Sequence, residues 1–143
     1  MAACDLVVEQ SDVTFALTEV RIGVAAAIIS VPILRRASAS KLAAAFLTGE
    51  TFSASFARDA GLVTHVTDDV AATVTALCDG VRLGAPGAVR ATKALLRGSE
   101  PGDDLAARFA AAQAVSDELF AGPEAVEGMT AFAERRPPAW QRH

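Results

Sequence analysis

Three short runs are all that this sequence offers a β-sheet, and a long series of helical segments competes for the surface so small a sheet provides. ACDLVVEQ carries adjoining apolar residues from Leu6 to Val8. Val13, Phe15 and Leu17 alternate with Thr14 and Ala16, as a half-buried strand requires. LVTHV, residues 62 to 66, is the third run. The other periodic segments are helical. Residues 23–36 read as a helix after a glycine start, with Pro32 placing a kink or a break inside it. Residues 40–47 form a second helix closed by Thr48 and Gly49, where glycine supplies a left-handed cap, and Ser53 caps a third that Gly61 ends.

Beyond that point everything reads as helix. Asp68 or Asp69 caps a segment running to about Leu83, Pro86 opens the next, and Pro123 opens the last, which Pro137 and Pro138 stop. Between them, in residues 103–120, Leu105, Phe109, Ala112, Ser116 and Leu119 fall at helical spacing and predict one buried stripe. Three strands are a thin sheet for so many helices, and the imbalance predicts that part of the packing surface lies outside this chain.

A length of 143 residues is that of one domain with a real core. Hydrophobic residues make up 52% and aromatic residues only 6%, with no tyrosine, which favours packed helices over a β-sandwich and leaves enough apolar surface for a partner. A net charge of −4 argues against nucleic acid, which needs a basic field. Cys4 and Cys78 fit neither a disulfide framework nor a metal site and are expected as buried free thiols. His65 and His143 are too few and too scattered for a ligand set, so no metal is expected, and His65 reads as structural. No secretory signal is visible, and the apolar run 24–34 is too short to span a membrane and contains Pro32. The expectation is a soluble cytoplasmic protein with no nucleic-acid or membrane partner.

The run TEVRIGVAAAIISVPILRR sets Glu19 at the mouth of a long apolar segment. From its residues alone Glu19 is either a surface carboxylate paired with Arg21 or an acid/base group in an apolar cleft. Arg90, Lys93 and Arg97 make one basic stripe, either a solvated face or a contact for phosphate. Gly49 and Gly61 belong to no glycine-rich loop and read as helix caps.

FALTEVRIGV, then AAIIS, then FLTGETFSASFARDAGLVTHV, then GMTAFAERRPP, taken in that order and spacing, resemble the enoyl-CoA hydratase/isomerase (crotonase) family. The AAIIS stretch is similar to the branch containing methylglutaconyl-CoA hydratases, with Ala26 where that branch has proline. The resemblance implies an α/β (α+β) fold: residues 1–66 as part of a crotonase-like ββα spiral core, and 67–143 as a carboxy-terminal helical region that makes trimer contacts. It implies an acyl-CoA thioester as substrate and partner, a homo-oligomer (trimer or hexamer), and no cofactor beyond the coenzyme A of the substrate.

The resemblance also assigns roles. Hydratases of the family use two glutamates around one water and two backbone N–H groups on the thioester oxygen, and the second glutamate falls on Glu19. Desolvation at an apolar wall favours the neutral form of a carboxyl group, which suits proton transfer. Ala27, Ile28 and Ile29 are implied to line the acyl pocket. Phe132, Arg135 and Arg136, on the final helix, are implied to hold the adenine and phosphate end of coenzyme A; read without the resemblance they are a charged helix end. Cys4–Asp5 matches the family's Cys-Asp that follows a Gly-Gly-Gly turn. The resemblance therefore covers the carboxy-terminal half, and the turn and first glutamate are expected before Met1. Two readings stay open: a hydratase-type lyase of fatty-acid or branched-chain acid breakdown, or a catalytically inactive remnant serving as an oligomerisation or coenzyme A-binding module.

Overall fold

The computed structural model describes residues 1–98 and 105–141, with the side chains of Arg97 and Arg108 outside the description. The chain forms two compact units, residues 1–75 and 76–143.

In the first unit, β1 (Val8–Gln10) pairs in parallel with β4 (His65–Thr67), with Val8 opposite His65 and Gln10 opposite Thr67. The Thr64 hydroxyl extends this ladder by one residue: it accepts from Val7 N at 2.8 Å and donates to Val7 O at 2.6 Å. A separate antiparallel pair joins β2 (Thr14–Phe15) to β3 (Phe52–Ser53). There the Phe15 and Phe52 rings stack at 5.6 Å, and Phe56 meets Phe52 edge-on at the same distance. All three expected strand runs exist, but β1 shares only Val8 with its apolar run, and β2 and β4 are shorter than theirs. Val7, Leu62 and Val63 are buried beside the ladder rather than in it.

A 3-10 turn (Glu19–Ile22) leads to α1 (Ala27–Arg36). The helix starts four residues after Gly23, because Gly23 at φ +81° closes the turn instead of opening the helix. Pro32 does not break it; α1 continues to Arg36, and the proline only withholds one backbone donor. α2 (Ala39–Thr48) ends on Gly49 at φ +66°, and α3 (Ala54–Asp59) starts where Ser53 Oγ accepts from Phe56 N at 3.2 Å. The core is one apolar cluster that includes Val7, Ile33, Leu42, Phe52, Leu62 and Val63; Leu42 is fully buried. Arg36 fastens its rim, donating from Nε to Leu62 O at 2.9 Å and from Nη1 to Cys4 O.

α4 (Val70–Arg82), within which the boundary falls, is capped by Asp69, whose Oδ1 accepts from Ala72 N at 2.8 Å. The second unit continues with α5 (Pro86–Arg97), α6 (Leu105–Ala121) and α7 (Pro123–Ala133), followed by a 3-10 turn at Ala139–Gln141. Both Pro86 and Pro123 sit in first turns, as expected. The stripe on α6 is not buried. Leu105, Phe109 and Ala112 are exposed, Ser116 and Leu119 half-buried, and its apolar members line a groove against α5 of about 780 Å³. Asp103 lies outside the described residues.

Polar bonds tie this unit. Glu124, in the first turn of α7, accepts from Gly87 N at 2.8 Å and from Ala88 N at 3.4 Å, so it caps α5 from another helix. Trp140 Nε1 and Gln141 Nε2 both donate to Leu83 O, at 3.1 and 2.8 Å.

Candidate functional site

Glu19 opens the 3-10 turn, with Thr18 at its N-cap. Gly23 N–H donates to Val20 O at 3.3 Å and Val24 N–H to Glu19 O at 3.2 Å, which closes the turn. Glu19 itself is half-buried. Its Oε2 is buried and has no hydrogen-bond partner among the described residues. Buried carboxylate oxygens are normally bonded, because stripping one of water without replacement costs free energy. An unpartnered oxygen is thus an acceptor open to a water or to a ligand.

The pairing with Arg21, one of the two readings of Glu19, is not what the structure shows. Arg21 Nε instead donates to Thr48 O at 3.0 Å, the carbonyl at the end of α2. The reading of Glu19 as one half of a surface ion pair is therefore set aside.

Ala27 and Ile28 are the first two residues of α1. Both are exposed, Ile28 at 88%, and so is Ile29. Ala27 O accepts from Ser30 Oγ at 2.7 Å, which tightens the first turn of a helix that has no side-chain N-cap. Of α1's apolar side chains only Ile33 is buried; Val31 and Leu34 are exposed as well.

Phe132 and Arg135 belong to the second unit. Phe132, in the last turn of α7, is 88% exposed. α7 ends at Ala133, so Arg135 and Arg136 stand beyond the final helix rather than on it. Arg135 adopts φ +54°, a left-handed conformation, and its N–H donates to Phe132 O at 3.2 Å. Arg136 turns inward: it donates to Glu127 Oε1 at 2.7 Å and Oε2 at 3.1 Å, and to Glu134 Oε2 at 2.6 Å. Glu127 Oε1 also accepts from Ala139 N at 2.8 Å. These bonds, to Glu127 first, push the Arg136 pKa further above its ordinary value. Arg136 is a brace for the turn, and the outward cation is Arg135.

The other candidates divide simply. Arg90 and Lys93 are exposed on α5, and the Arg97 side chain lies outside the described residues. His65 is the first residue of β4, and its Nδ1 lies 2.9 Å from Thr64 Oγ1; His143 lies outside the described residues. Cys4 and Cys78 are free but exposed, not buried, since Cys4 precedes β1 and Cys78 lies on an uncovered side of α4. Among the described residues no group of three or more His, Cys, Asp or Glu is placed to hold a metal ion, and no helix is long and apolar enough to cross a membrane. Reading the sequence missed the seat of Arg21 on Thr48 and the capping of α5 by Glu124. The residues that meet there are 27 and 37 positions apart, and no local pattern signals them.

Residues 1–143 match a family model described as enoyl-CoA hydratase/isomerase. Mevalonyl-coenzyme A hydratase of Aspergillus fumigatus is 36% identical over 148 residues, covering 99% of this chain and 54% of its own length. A putative enoyl-CoA hydratase of Thermus thermophilus is 35% identical, covering 95% of this chain and 54% of its own. Among solved structures, an enoyl-CoA hydratase/isomerase from Marinobacter aquaeolei superposes with a TM-score of 0.91 at 27% identity, over 99% of this chain and 54% of that one. An enoyl-CoA hydratase from Mycobacterium smegmatis superposes at 0.86 with 28% identity, over 97% of this chain and 55% of that one. The fold is thus that of crotonase-like proteins, and the chain spans about half the length of the curated relatives it matches.

Proposed function

The chain belongs to the enoyl-CoA hydratase/isomerase family, and from that premise we propose that it takes part in adding water across the 2,3 double bond of an enoyl-CoA thioester, with Glu19 as one of two acid/base carboxylates. The observation that carries this reading is the buried, unpartnered Oε2 of Glu19. The reaction needs a carboxylate that accepts from a water as its oxygen bonds to C3. The π electrons of the double bond move onto the thioester as an enolate, and C2 then takes up a proton. A carboxylate oxygen already bonded inside the protein would have to break that bond first; Glu19 Oε2 has none to break among the described residues. Backbone N–H donors aimed at the enolate oxygen supply a large share of such rate enhancements, and no residue of this chain is assigned that role.

Ala27 and Ile28 are proposed to line the acyl pocket, and Phe132 and Arg135 to hold the nucleotide end of coenzyme A. An exposed ring can stack on adenine, and a guanidinium suits a phosphate. The substrate brings the coenzyme A, so no separate cofactor or metal is assigned. The setting proposed is cytoplasmic breakdown of fatty or branched-chain acids, in a trimer or hexamer.

The test is hydration of crotonyl-CoA by the full chain, followed as loss of the conjugated thioester's ultraviolet absorbance. Turnover that Glu19→Gln abolishes supports the proposal; turnover that survives the change removes Glu19 from the chemistry. A second reading, a non-catalytic oligomerisation or coenzyme A-binding module, is favoured by the exposed apolar side chains of α1, α6 and α7. Saturable binding of acetyl-CoA by a discrete oligomer, with no hydration at all, is what that reading expects.

A further inference from the structure

We propose that Arg21 is a positioning residue that holds the Glu19 turn in place by seating its side chain over Gly49 at the end of α2. The inference rests on the reading of Glu19 given above. A four-residue 3-10 turn has little stability of its own, since only a few backbone bonds close it. What fixes it is contact with α2, and its directional bond to that helix is Arg21 Nε to Thr48 O at 3.0 Å. Thr48 is the last residue of α2, so its carbonyl is among those a helix end leaves without an intrahelical donor. A cation at that end is also favoured by the helix dipole.

Gly49 completes the seat. It is buried, it adopts φ +66°, and a Cβ there would stand 2.9 Å from Arg21 Nε and 3.2 Å from Arg21 Cδ and Cγ. Glycine is needed at this position both for its backbone conformation and for the room it leaves to Arg21. By contrast, a Cβ at Gly23 would meet nothing within 4 Å, so at that end of the turn only the conformation matters. Arg21 is also drawn away from Glu19 by this bond. The seat therefore does two things: it anchors the turn, and it keeps the guanidinium from occupying the carboxylate oxygen that the reaction needs.

The experiment compares the full chain as wild type, Arg21→Ala, Arg21→Lys and Gly49→Ala, reading the 13C resonance of the Glu19 side-chain carboxyl, assigned with Glu19→Gln. Arg21→Ala and Gly49→Ala are expected to move or broaden that resonance while the Leu42 methyl signals of the core stay in place. Arg21→Lys, which keeps the charge and a donor, should restore it in part. In crotonyl-CoA hydration, kcat is expected to fall by about tenfold to a hundredfold with KM changed by less than about twofold, the pattern of a misplaced catalytic group. An unmoved Glu19 resonance in a folded Arg21→Ala chain overturns the proposal; should that variant not fold, an unmoved resonance in Gly49→Ala does the same. If the wild-type chain turns over no crotonyl-CoA, the acid/base reading of Glu19 falls, while the carboxyl resonance still decides whether Arg21 positions it.

Discussion

Residues 1–75 keep their shape by burying side chains, whereas the described residues of 76–143 keep theirs by satisfying helix ends and turns with polar bonds. The first unit closes on an apolar cluster running from Val7 to Val63. In the second, Ala131 is the one hydrophobic residue buried among those described, and Phe109, Phe120, Met129 and Phe132 are all exposed. Glu124 on the start of α5, Arg136 on Glu127, and Trp140 on Leu83 O do the fastening instead. The contrast teaches where each unit is vulnerable. Removing carbon atoms hurts the first, and removing one acceptor hurts the second.

The largest effect should come from Leu42→Ala. Deleting a fully buried leucine leaves a cavity, and about 2–5 kcal/mol of stability is expected to go with it. Trp140 is the sole tryptophan and lies in the second unit, so its fluorescence reports on that unit alone. Urea unfolding followed by circular dichroism should shift for this variant more than the fluorescence transition does. Equal shifts would mean that the two units unfold as one, and the contrast would fail.

Glu124→Ala comes next. It strips the acceptor from Gly87 N and Ala88 N, and the loss of a cap costs about 1–2 kcal/mol. Here the fluorescence transition should move first, and Glu124→Gln, which keeps one acceptor oxygen, should cost less. No difference between Ala and Gln at this position would show that the cap contributes nothing.

The smallest effect is expected at Arg135, where a left-handed φ of +54° is held by a residue other than glycine. Arg135→Gly should raise stability by a few tenths to about 1 kcal/mol, because the backbone strain disappears. The same change should weaken acetyl-CoA binding in calorimetry. A variant that gains stability and binds unchanged would make the cation dispensable.

Local features were legible from the sequence, and features joining distant residues were not. Ser53, Gly49, Gly61, Pro86 and Pro123 each act on their own helix, and the α-helices after Gly23 begin within about four residues of where the sequence puts them, whereas the 3-10 turn at Ala139–Gln141 has no local signal. The strand runs were found, but their pairing depends on partners far along the chain, and only part of each run is laddered. The α6 stripe misled for a related reason. Periodicity tells which residues share a face, not whether anything covers it, and Leu105 and Phe109 line an open groove. The sequence puts Arg135 on the final helix, but α7 ends at Ala133, just before it, since the bonds from Arg136 to Glu127 and Glu134 that shape the turn cannot be read from spacing. Glu19 is legible through the family's motif, but only the fold shows that its Oε2 lacks a donor among the described residues and that Arg21 bonds Thr48 instead.

The parallel ladder of β1 on β4 has a consequence for the order of events during folding. The Thr64 hydroxyl and the backbone of Val7 that begin the ladder lie 57 residues apart, and joining the ends of so long a stretch costs roughly 3.6 kcal/mol of loop-closure entropy before any ladder bond forms. The helices between them close their own backbone bonds locally and can form without that closure. Pairing of β1 with β4 should therefore be a late step, and during synthesis residue 8 must wait for residue 65 to leave the ribosome. Until then Val7 and the apolar side chains beside it stay wet, and that interval is when this half of the chain is most open to misassociation.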